Sequence, residues 1–310
     1  MKNKIGTTLL AAVLVAAGSY ADSFGTGGNA FSVDFVDIGY AGNAADASGY
    51  GAVGYNYRIG QKEVTLDQFA KARAADSLIS DGDEGYWNDG TRTVGTAGPA
   101  SYVSAYEAMK FANWLTTGSA ISGAYQFNAG GTTLLAVDRG AAVTAYGTVY
   151  VLPSEDEWYK AAYYKPVDDG SYSLYANGSD SAASLTHGTA NGWNYDNSGY
   201  VNGSPNYTWE TGFGGEEQNG TFDMMGNVWE WNESAYDGTL DNLAERRVFR
   251  GGSAINGRLS LRSSDRFSGN PTGGLNSLGF RVAAIPEPSS IALIGLAGGF
   301  ALFVRRRFRR

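Results

Sequence analysis

The sequence contains no cysteine and a single histidine, His187, among its 310 residues. The absence of cysteine excludes disulfides, thiol catalysis and cysteine-ligated metals, although many exported domains of this size fold without disulfides. One histidine cannot supply the two imidazoles of a non-haem iron site, and it leaves only one candidate base for a serine triad. His187 lies in a loop rich in serine, threonine and glycine, where a plain surface position is the simpler interpretation. The chain is therefore poorly equipped for the common kinds of nucleophilic and redox catalysis.

Positive charge is also scarce in the body of the chain. The formal net charge of the whole sequence is −8, but two of its lysines precede residue 22 and five of its arginines follow residue 304. Residues 22–285 keep 16 cationic and 30 acidic side chains, which gives this body a net charge near −14. Sequence-independent nucleic-acid binding needs lysine and arginine to neutralise phosphates. We therefore expect no nucleic-acid partner.

The first 21 residues resemble a secretory signal peptide. They combine a basic start (Lys2 and Lys4), an apolar stretch, and small residues at Ser19 and Ala21. The apolar stretch is too short and too rich in alanine for a permanent membrane span of about 20 residues. We predict cleavage after Ala21, and the alternative is that this segment forms a buried N-terminal strand.

The C-terminus has three parts in a fixed order. Pro286-Glu287-Pro288 is followed by an apolar segment at about 289–304 and then by an arginine-rich tail. Physically this is a short transmembrane helix with a basic stop, which keeps the body of the protein outside the cytoplasm. The order closely resembles the PEP-CTERM sorting signal of Gram-negative bacteria, with an ordinary C-terminal anchor as the alternative. The resemblance implies export through the inner membrane, recognition by an exosortase, and a final position at the cell surface or outside the cell.

Periodicity predicts few regular elements between these two ends. Alternating apolar and polar residues indicate strands at 31–38 and 53–59. Helices are predicted at 65–75, at 104–116 and from Ser154 onward, because each begins with a serine or threonine followed three residues later by glutamine or glutamate. Residues 168–220 show little helical periodicity and many Asn-Gly and Ser-Gly turn signals. The body is large enough for one domain with a real core.

Several sequence blocks carry a family resemblance. They read F-D-M-M-G-N-V-W-E-W at 222–231, V-F-R-G-G-S at 248–253, L-R-S-S-D-R at 261–266 and L-G-F-R at 278–281, preceded by blocks at 60–65, 103–115 and 150–162. In this order they resemble the formylglycine-generating enzyme family, also called sulfatase-modifying factors. The resemblance implies one domain at 22–285 with an irregular α+β, C-type-lectin-like fold: few helices, small twisted sheets and much coil.

The resembling enzymes oxidise a sulfatase cysteine with a copper ion held by two cysteines. Counted from Ser253, those positions fall near Asn256 and within 257–261, where no residue supplies a thiolate for soft copper. We expect no copper and a non-catalytic protein that binds or builds a surface or extracellular matrix. The alternatives are an oxidase whose site is rebuilt without cysteine and a purely structural matrix protein.

Residues 223–230 offer the best candidate ion site. Calcium favours carboxylate and carbonyl oxygens together, and this turn offers the carboxylates of Asp223 and Glu230 and the carbonyls of Gly226 and Val228. The resemblance implies a structural calcium ion at these positions. The alternative is that Glu230 only pairs with an arginine such as Arg250 or Arg281. A second calcium site of the family would use Asn191 and, as a candidate, Asp196.

A ligand-binding role needs exposed aromatic and basic side chains. Candidates for stacking on sugars or contacting a protein are Tyr200, Tyr207 and Trp209 in the long loop. Asn256, Arg262 and Arg266 fall where family members line a substrate groove, and an arginine there could hold a carboxylate or an acidic sugar. The alternative is that the arginines neutralise buried Glu157 and Glu230. The partners we expect are extracellular polysaccharide or a surface protein.

Overall fold

A computed structural model describes residues 19–80, 95–166, 170–182, 185–196, 207–238 and 242–285. Within these ranges the chain forms four α-helices: α1 (Leu66–Ala75), α2 (Ala105–Thr117), α3 (Arg139–Tyr146) and α4 (Glu155–Tyr163). Its strands are β1 (Ser19–Phe24), β2 (Phe31–Ile38), β3 (Tyr57–Gly60), β4 (Tyr125–Phe127), β5 (Leu134–Val137), β6 (Val149–Val151), β7 (Tyr164–Lys165), β8 (Ser171–Tyr172), β9 (Trp229–Ala235), β10 (Arg247–Arg250), β11 (Phe267–Gly269), β12 (Leu278–Gly279) and β13 (Ala283–Ile285). Few helices, small sheets and long irregular connections confirm the predicted α+β class.

The largest sheet joins both ends of the domain. Its strand order is β1-β2-β3-β13-β6, so the last strand inserts between β3 and β6 and pairs antiparallel with both. Helices α1 and α2 cover one face of this sheet through packed aromatic rings. Phe111 of α2 lies 5.8 Å from Phe69 of α1 and 5.4 Å from Phe280, measured between ring centroids. These contacts bury the apolar faces that the helical periodicity predicts.

A second sheet carries the aromatic residues of the most informative block. Its order is β11-β10-β9-β12, with β12 parallel to β9 and the other pairs antiparallel. Trp231 of β9 is fully buried and donates from Nε1 to the carbonyl of Val103 at 2.8 Å, just before α2. On the other side of β9, Trp158 of α4 donates to Glu230. Strand β9 therefore packs between α2 and α4.

The predicted strand at 31–38 is confirmed, but the one predicted at 53–59 begins only at Tyr57. The residues before it run as a loop. Gly51 has a left-handed backbone (φ +91°), and a Cβ there would lie 2.6 Å from the ring of Tyr172. The loop is thus shaped by close packing against β8, which the alternating sequence pattern does not reveal.

The predicted helix starts are confirmed, and two of them carry a reciprocal cap. The Thr65 hydroxyl accepts from the backbone N–H of Gln68, and the Gln68 side chain accepts from the backbone N–H of Thr65 at 2.9 Å. Ser154 and Glu157 form the same pair at α4. At α2 the Ser104 hydroxyl caps alone, because the carboxylate of Glu107 turns away to bind Ser80 and Lys110.

Helix α3 is absent from the sequence-based prediction. Its eight residues include glycine, valine and threonine, which are weak helix formers. Asp138 caps its N-terminus by accepting from the Ala141 N–H, and Gly147 ends it with a positive φ of 77°. Arg139, its first residue, binds the carboxylates of Glu157 and Glu233 at 3.0 and 2.9 Å. Tertiary ion pairs rather than local propensity therefore hold this helix.

The two ends lie mostly outside the described residues. This holds for residues 1–18 and for 286–310, including the apolar segment predicted at about 289–304. No helix within the described ranges is long and apolar enough to cross a membrane. Strand β1 begins at Ser19, so the predicted cleavage after Ala21 would divide it. Asp22 would stay, with its carboxylate held by Arg58 at 2.7 Å and by the Tyr150 hydroxyl at 2.7 Å.

A loop before β12 covers the start of α2. The backbone N–H of Tyr102 donates to Leu275 and that of Tyr106 to Pro271. A Cβ on Gly274 would meet the Tyr102 carbonyl oxygen at 2.1 Å, whereas a Cβ on neighbouring Gly273 would meet its nearest atom at 3.7 Å. The two adjacent glycines thus differ sharply in the space available to a side chain.

We expect Gly274→Ala to destabilise the protein by about 2–4 kcal/mol, because the clash is with backbone and forces the loop away from α2. The matched control Gly273→Ala should change the free energy of unfolding by less than about 0.5 kcal/mol. Urea denaturation of both variants measures the difference. Equal effects would show that the loop is not packed as described.

Candidate functional site

The site is built around the turn that precedes β9. Asp223 and Asn227 both adopt left-handed backbone conformations, with φ of 60° and 56°. Between them Gly226 has φ 90°, and a Cβ there would lie 2.1 Å from the carbonyl oxygen of Asn194. Only glycine fits this close approach. The turn is thereby fixed against the 193–196 segment.

Glu230 and Arg281 form a buried ion pair behind this turn. Both side chains are fully buried, and the guanidinium donates from Nε to Oε2 and from NH2 to Oε1, each at 2.6 Å. Trp158 also donates to Glu230, at 2.7 Å. The remaining donors of Arg281 reach the backbone carbonyls of Gly60 and Phe222 at 3.0 and 2.7 Å. The alternative considered from the sequence, that Glu230 pairs with an arginine, is therefore what the structure contains.

Three more carboxylates lie near Arg281 and are almost fully buried. Glu63 accepts from the Asn227 amide at 2.7 Å and from the Val228 N–H at 3.1 Å. Glu217 accepts from the backbone N–H groups of Met224 and Met225 at 3.0 and 3.1 Å. We call Glu63, Glu217, Asp223 and Glu230 together the acid cluster. Sequence reasoning missed Glu63, which lies far from the turn along the chain, and also Glu217, which lies only six residues before Asp223.

Burial and mutual repulsion shift the protonation of the acid cluster. Burial raises the pKa of Glu217 to about 8, although Arg281 opposes the shift. Burial also raises the pKa of Glu63 well above its ordinary value, with added repulsion from Asp223 and Glu230. The pKa of Asp223 is raised for the same leading reason. Burial lowers the pKa of Arg281, but the surrounding carboxylates outweigh it and leave that pKa raised.

The predicted calcium ligands are brought together, but their carboxylates are already engaged. Asp223 accepts from Trp209 Nε1 at 2.8 Å and from the Gly212 N–H at 2.6 Å. Both oxygens of Glu230 are bound by Arg281, so a calcium ion would have to share this carboxylate with a guanidinium. The N–H of Gly226 donates to the carbonyl of Gly251, and the N–H of Val228 donates to the carboxylate of Glu63. This arrangement does not fit a calcium cage as it stands, and calcium here stays a prediction.

The second calcium prediction, on Asn191 and Asp196, has no further support from geometry. Asn191 is exposed, and Asp196 is half-buried with its backbone bridged to the 256–257 segment. Across the part of the chain that the structure describes, no group of three or more histidine, cysteine, aspartate or glutamate side chains is placed to hold a metal ion.

Asn256 lies where the family resemblance places the first copper ligand. Its side-chain oxygen accepts from Trp229 Nε1 at 2.8 Å and from the Ser253 hydroxyl at 2.5 Å. Its backbone carbonyl accepts from the Asp196 N–H at 2.9 Å. The following residues, 257–261, enter a short 3-10 helix, Arg258–Leu261. A neutral, hydrogen-bonded amide thus occupies the centre of this region.

His187 is not the plain surface residue expected from the sequence. It is half-buried, with its ring 5.1 Å from that of Tyr195 in an edge-to-face contact. Its Nε2 atom is buried and has no hydrogen-bond partner among the described residues. Among the described residues, no hydrogen bond or ion pair joins its side chain to a serine, threonine or carboxylate.

Of the predicted aromatic ligand residues, the structure describes Tyr207 and Trp209, and neither is exposed. Trp209 is only 3% exposed, and its indole nitrogen donates to Asp223. The prediction that it stacks on a ligand is therefore wrong. Tyr207 is half-buried, and its carbonyl accepts from the Asn194 amide. Tyr200 lies outside the described residues. The segment that carries Trp209 instead packs against Asp223 of the acid cluster.

The predicted ligand arginines are largely engaged within the protein. Arg266 forms two bonds to Glu155, at 2.7 and 2.8 Å, and lies 4.4 Å from the ring centroid of Tyr236. Arg250 also binds Glu155, at 2.6 Å. Arg262 donates to the Tyr175 hydroxyl at 3.1 Å. The idea that the arginines neutralise buried carboxylates is confirmed for Glu230 and is wrong for Glu157.

Glu157 is neutralised by Arg139 rather than by a C-terminal arginine. Glu155, two residues earlier, is the carboxylate that Arg250 and Arg266 share. Both glutamates lie in the first turn of α4, where their negative charges also interact favourably with the helix dipole. The acidic run Glu155-Asp156-Glu157 was visible in the sequence, but its partners were not.

An exposed aromatic surface lies beside Asn256 and was not predicted. We define it as Phe267 with Trp229 and Phe249 beneath it. The Phe267 ring is 5.2 Å from that of Trp229 and 6.2 Å from that of Phe249, and 48% of the residue is exposed. Trp229 and Phe249 are buried and supply a rigid base. Among the described strands β11 pairs only with β10, so Phe267 stands at an edge of this sheet.

We expect Arg281→Met to cost about 3–5 kcal/mol, because it leaves Glu230 buried without a counter-charge. Adding Glu230→Gln should restore part of that loss, since the amide still accepts from Trp158. Lys71→Met, which removes an exposed pair at 2.8 Å with Asp67, is the control and should cost less than about 0.5 kcal/mol. Chemical denaturation measures all three. A loss no larger than the control's would contradict the buried pair.

The raised pKa of Glu217 predicts that stability falls with rising pH. The folded carboxyl titrates at about 8 and the unfolded one at about 4.5, so its contribution is complete below about pH 4.5 and is lost as the pH passes about 8. The slope of unfolding free energy between these limits should approach about 1.4 kcal/mol per pH unit for one proton. Glu217→Gln should flatten the slope whatever its effect on the absolute stability. Urea titrations between these limits test it, and equal slopes in the wild type and in the Glu217→Gln variant would refute it.

Comparison with known proteins agrees with this architecture. The model of the sulfatase-modifying factor enzyme 1-like domain matches residues 11–285, and the PEP-CTERM protein-sorting motif matches residues 284–310. A search of curated proteins finds no match. The sorting motif indicates that the protein is exported and sorted by an exosortase to the bacterial surface or exterior.

Solved structures with the same fold cover most of this chain. Treponema denticola variable protein 1 is 20% identical with a TM-score of 0.60, over 86% of this chain and 99% of that one. CarF is 23% identical with a TM-score of 0.57, over 81% and 97% of the two chains. PvdO from Pseudomonas aeruginosa is 17% identical with a TM-score of 0.50, over 85% and 97%. At these identities the likeness concerns the fold alone. With its family model matched over almost the entire body, the chain belongs to the sulfatase-modifying factor enzyme 1-like domain family.

Proposed function

We propose that this chain is a non-catalytic member of its family that binds an extracellular ligand at the surface of a Gram-negative bacterium or in its matrix. The observation that carries the proposal is the environment of Asn256. Its amide oxygen is satisfied by Trp229 and Ser253, in the place where the resembling enzymes hold copper with cysteine. The chain contains no cysteine that could restore that chemistry.

The aromatic surface supports a binding role. Phe267 offers an open ring on a rigid base, and such a ring can stack on a sugar with little loss of conformational entropy. Arg266, the neighbouring residue, has its charge neutralised by Glu155. Since the domain also carries a net charge near −14, we propose a neutral polysaccharide rather than an acidic one. A protein partner with an exposed apolar patch is the second ligand class that this surface suits.

We expect the purified protein to bind the producer's extracellular polysaccharide saturably, with Phe267→Ala weakening binding about tenfold, or ~1.4 kcal/mol. Tyr146→Ala is the matched control, because Tyr146 is also an aromatic residue 50% exposed but lies on α3. Calorimetry or co-sedimentation measures both. Performing each measurement with calcium and with a chelator also tests the predicted calcium ion.

Three results would redirect the proposal. Absence of binding in both conditions would remove the polysaccharide and leave a protein partner or a purely structural role. Equal losses in the Phe267 and Tyr146 variants would place the binding surface elsewhere. Oxidation of a sulfatase-derived cysteine peptide in the presence of copper and oxygen, seen as a mass change, would show that the chain is an enzyme after all.

A further inference from the structure

Asn256 is followed by glycine, and this dipeptide is the one most prone to lose ammonia, because glycine offers no side chain to obstruct ring closure. The sequence contains five Asn-Gly pairs, beginning at Asn177, Asn191, Asn202, Asn219 and Asn256. Asn202 lies outside the described residues. We propose that the fold activates Asn256, in contrast to the other described pairs, for self-catalysed deamidation. This inference is independent of the proposed ligand.

The carbonyl carbon of the Asn256 side chain is polarised by two fixed donors. Trp229 Nε1 donates to Oδ1 at 2.8 Å, and the Ser253 hydroxyl donates to the same atom at 2.5 Å. Because an indole nitrogen can only donate, the atom facing it must be the oxygen and not the amide nitrogen. Two donors converging on one carbonyl oxygen stabilise the negative charge that appears on it when a nucleophile adds.

Among the described residues, the glycine N–H has no acceptor at this pair and is hydrogen-bonded at the other three pairs. The N–H of Gly257 donates to no acceptor among the described residues. By contrast, the N–H of Gly178 donates to Tyr175, that of Gly192 to Thr189 and that of Gly220 to Glu217, at 3.0, 2.8 and 2.9 Å. Those hydrogen bonds must break before the glycine nitrogen can lose its proton and attack. At Gly257 no such bond opposes the reaction.

The leaving group is also unrestrained at Asn256. Its Nδ2 atom donates to no described residue and is not buried. At Asn219 the corresponding nitrogen is anchored by the carbonyls of Ala161 and Tyr164, both at 2.9 Å. Asn256 itself is half-buried, while Ile255 and Gly257 on either side are exposed, so water reaches the site.

The reaction needs only water as a co-reactant. The Gly257 nitrogen loses its proton to solvent and forms a bond to Cγ of Asn256, giving a tetrahedral intermediate whose Oδ1 anion is held by Trp229 and Ser253. The bond from Cγ to Nδ2 then breaks, and the amine leaves as ammonia after taking a proton from solvent. Water opens the resulting cyclic imide to aspartate or to isoaspartate. The product places a carboxylate where a neutral amide stood, with both donors still able to bind it.

We expect peptide mass mapping of the folded protein, incubated at mildly alkaline pH, to show deamidation at Asn256 about tenfold or more faster than at Asn177, Asn191 or Asn219. The same protein unfolded in urea provides the reference, since there the Asn-Gly pairs should react at similar rates. Faster reaction at Asn256 in the folded than in the unfolded protein supports activation by the fold. A rate in the folded protein equal to or below the unfolded rate would overturn the proposal.

Two variants test the donors directly. Since one preorganised donor changes a rate by roughly a hundredfold in enzymes, Ser253→Ala should slow ammonia loss by at least about tenfold. Trp229→Phe removes the indole donor while keeping an aromatic ring in the core, and it should slow the reaction similarly. Thermal unfolding of each variant verifies that the fold persists. Unchanged rates at Asn256 in both folded variants would refute the role of the two donors.

Discussion

The buried pair of Glu230 and Arg281 is the interaction on which the rest of this structure depends. Glu230 belongs to the central strand of the second sheet, and Arg281 lies just before the last strand of the first. The guanidinium also binds the backbone beside β3 and before the 223–230 turn. One fully desolvated cation therefore joins both sheets and the loop that carries the site. In an interior of low dielectric, such a contact tolerates little change on either side.

The acid cluster shows why the site is rigid rather than open. Four carboxylates share one arginine, and backbone N–H groups and indole donors also bind them, while burial raises the pKa values of Glu217 and Glu63. Most of these partners lie in loops, although Trp158 belongs to α4. Loops without regular secondary structure are thus held in place by polar bonds that helices and strands would ordinarily supply. Trp229 precedes Glu230 on β9, so the hydrogen bonds of the acid cluster also help to fix the aromatic surface and Asn256.

Local signals explain which features the sequence could predict. The caps at Thr65 and Ser154 are encoded within four residues, so α1 and α4 were placed correctly. Helix α3 was not, because it depends on Arg139 meeting glutamates far along the chain. Trp209 was misjudged for the same reason: its burial follows from a partner, Asp223, that no local pattern reveals. The fold was predictable from motif blocks, whereas the assignment of each carboxylate to its cation was not.

The position of β13 determines how a force at the C-terminal end would act on the domain. This strand lies inside the first sheet, hydrogen-bonded on both sides to β3 and β6, and ends at Ile285, immediately before the proline that opens the sorting motif. Any attachment made through that end pulls along the axis of an interior strand. The load is then shared by two ladders of hydrogen bonds strained in parallel, which resist far more force than bonds opened one at a time. A pull applied at that end would therefore act on β3 and β6 together rather than on a single strand.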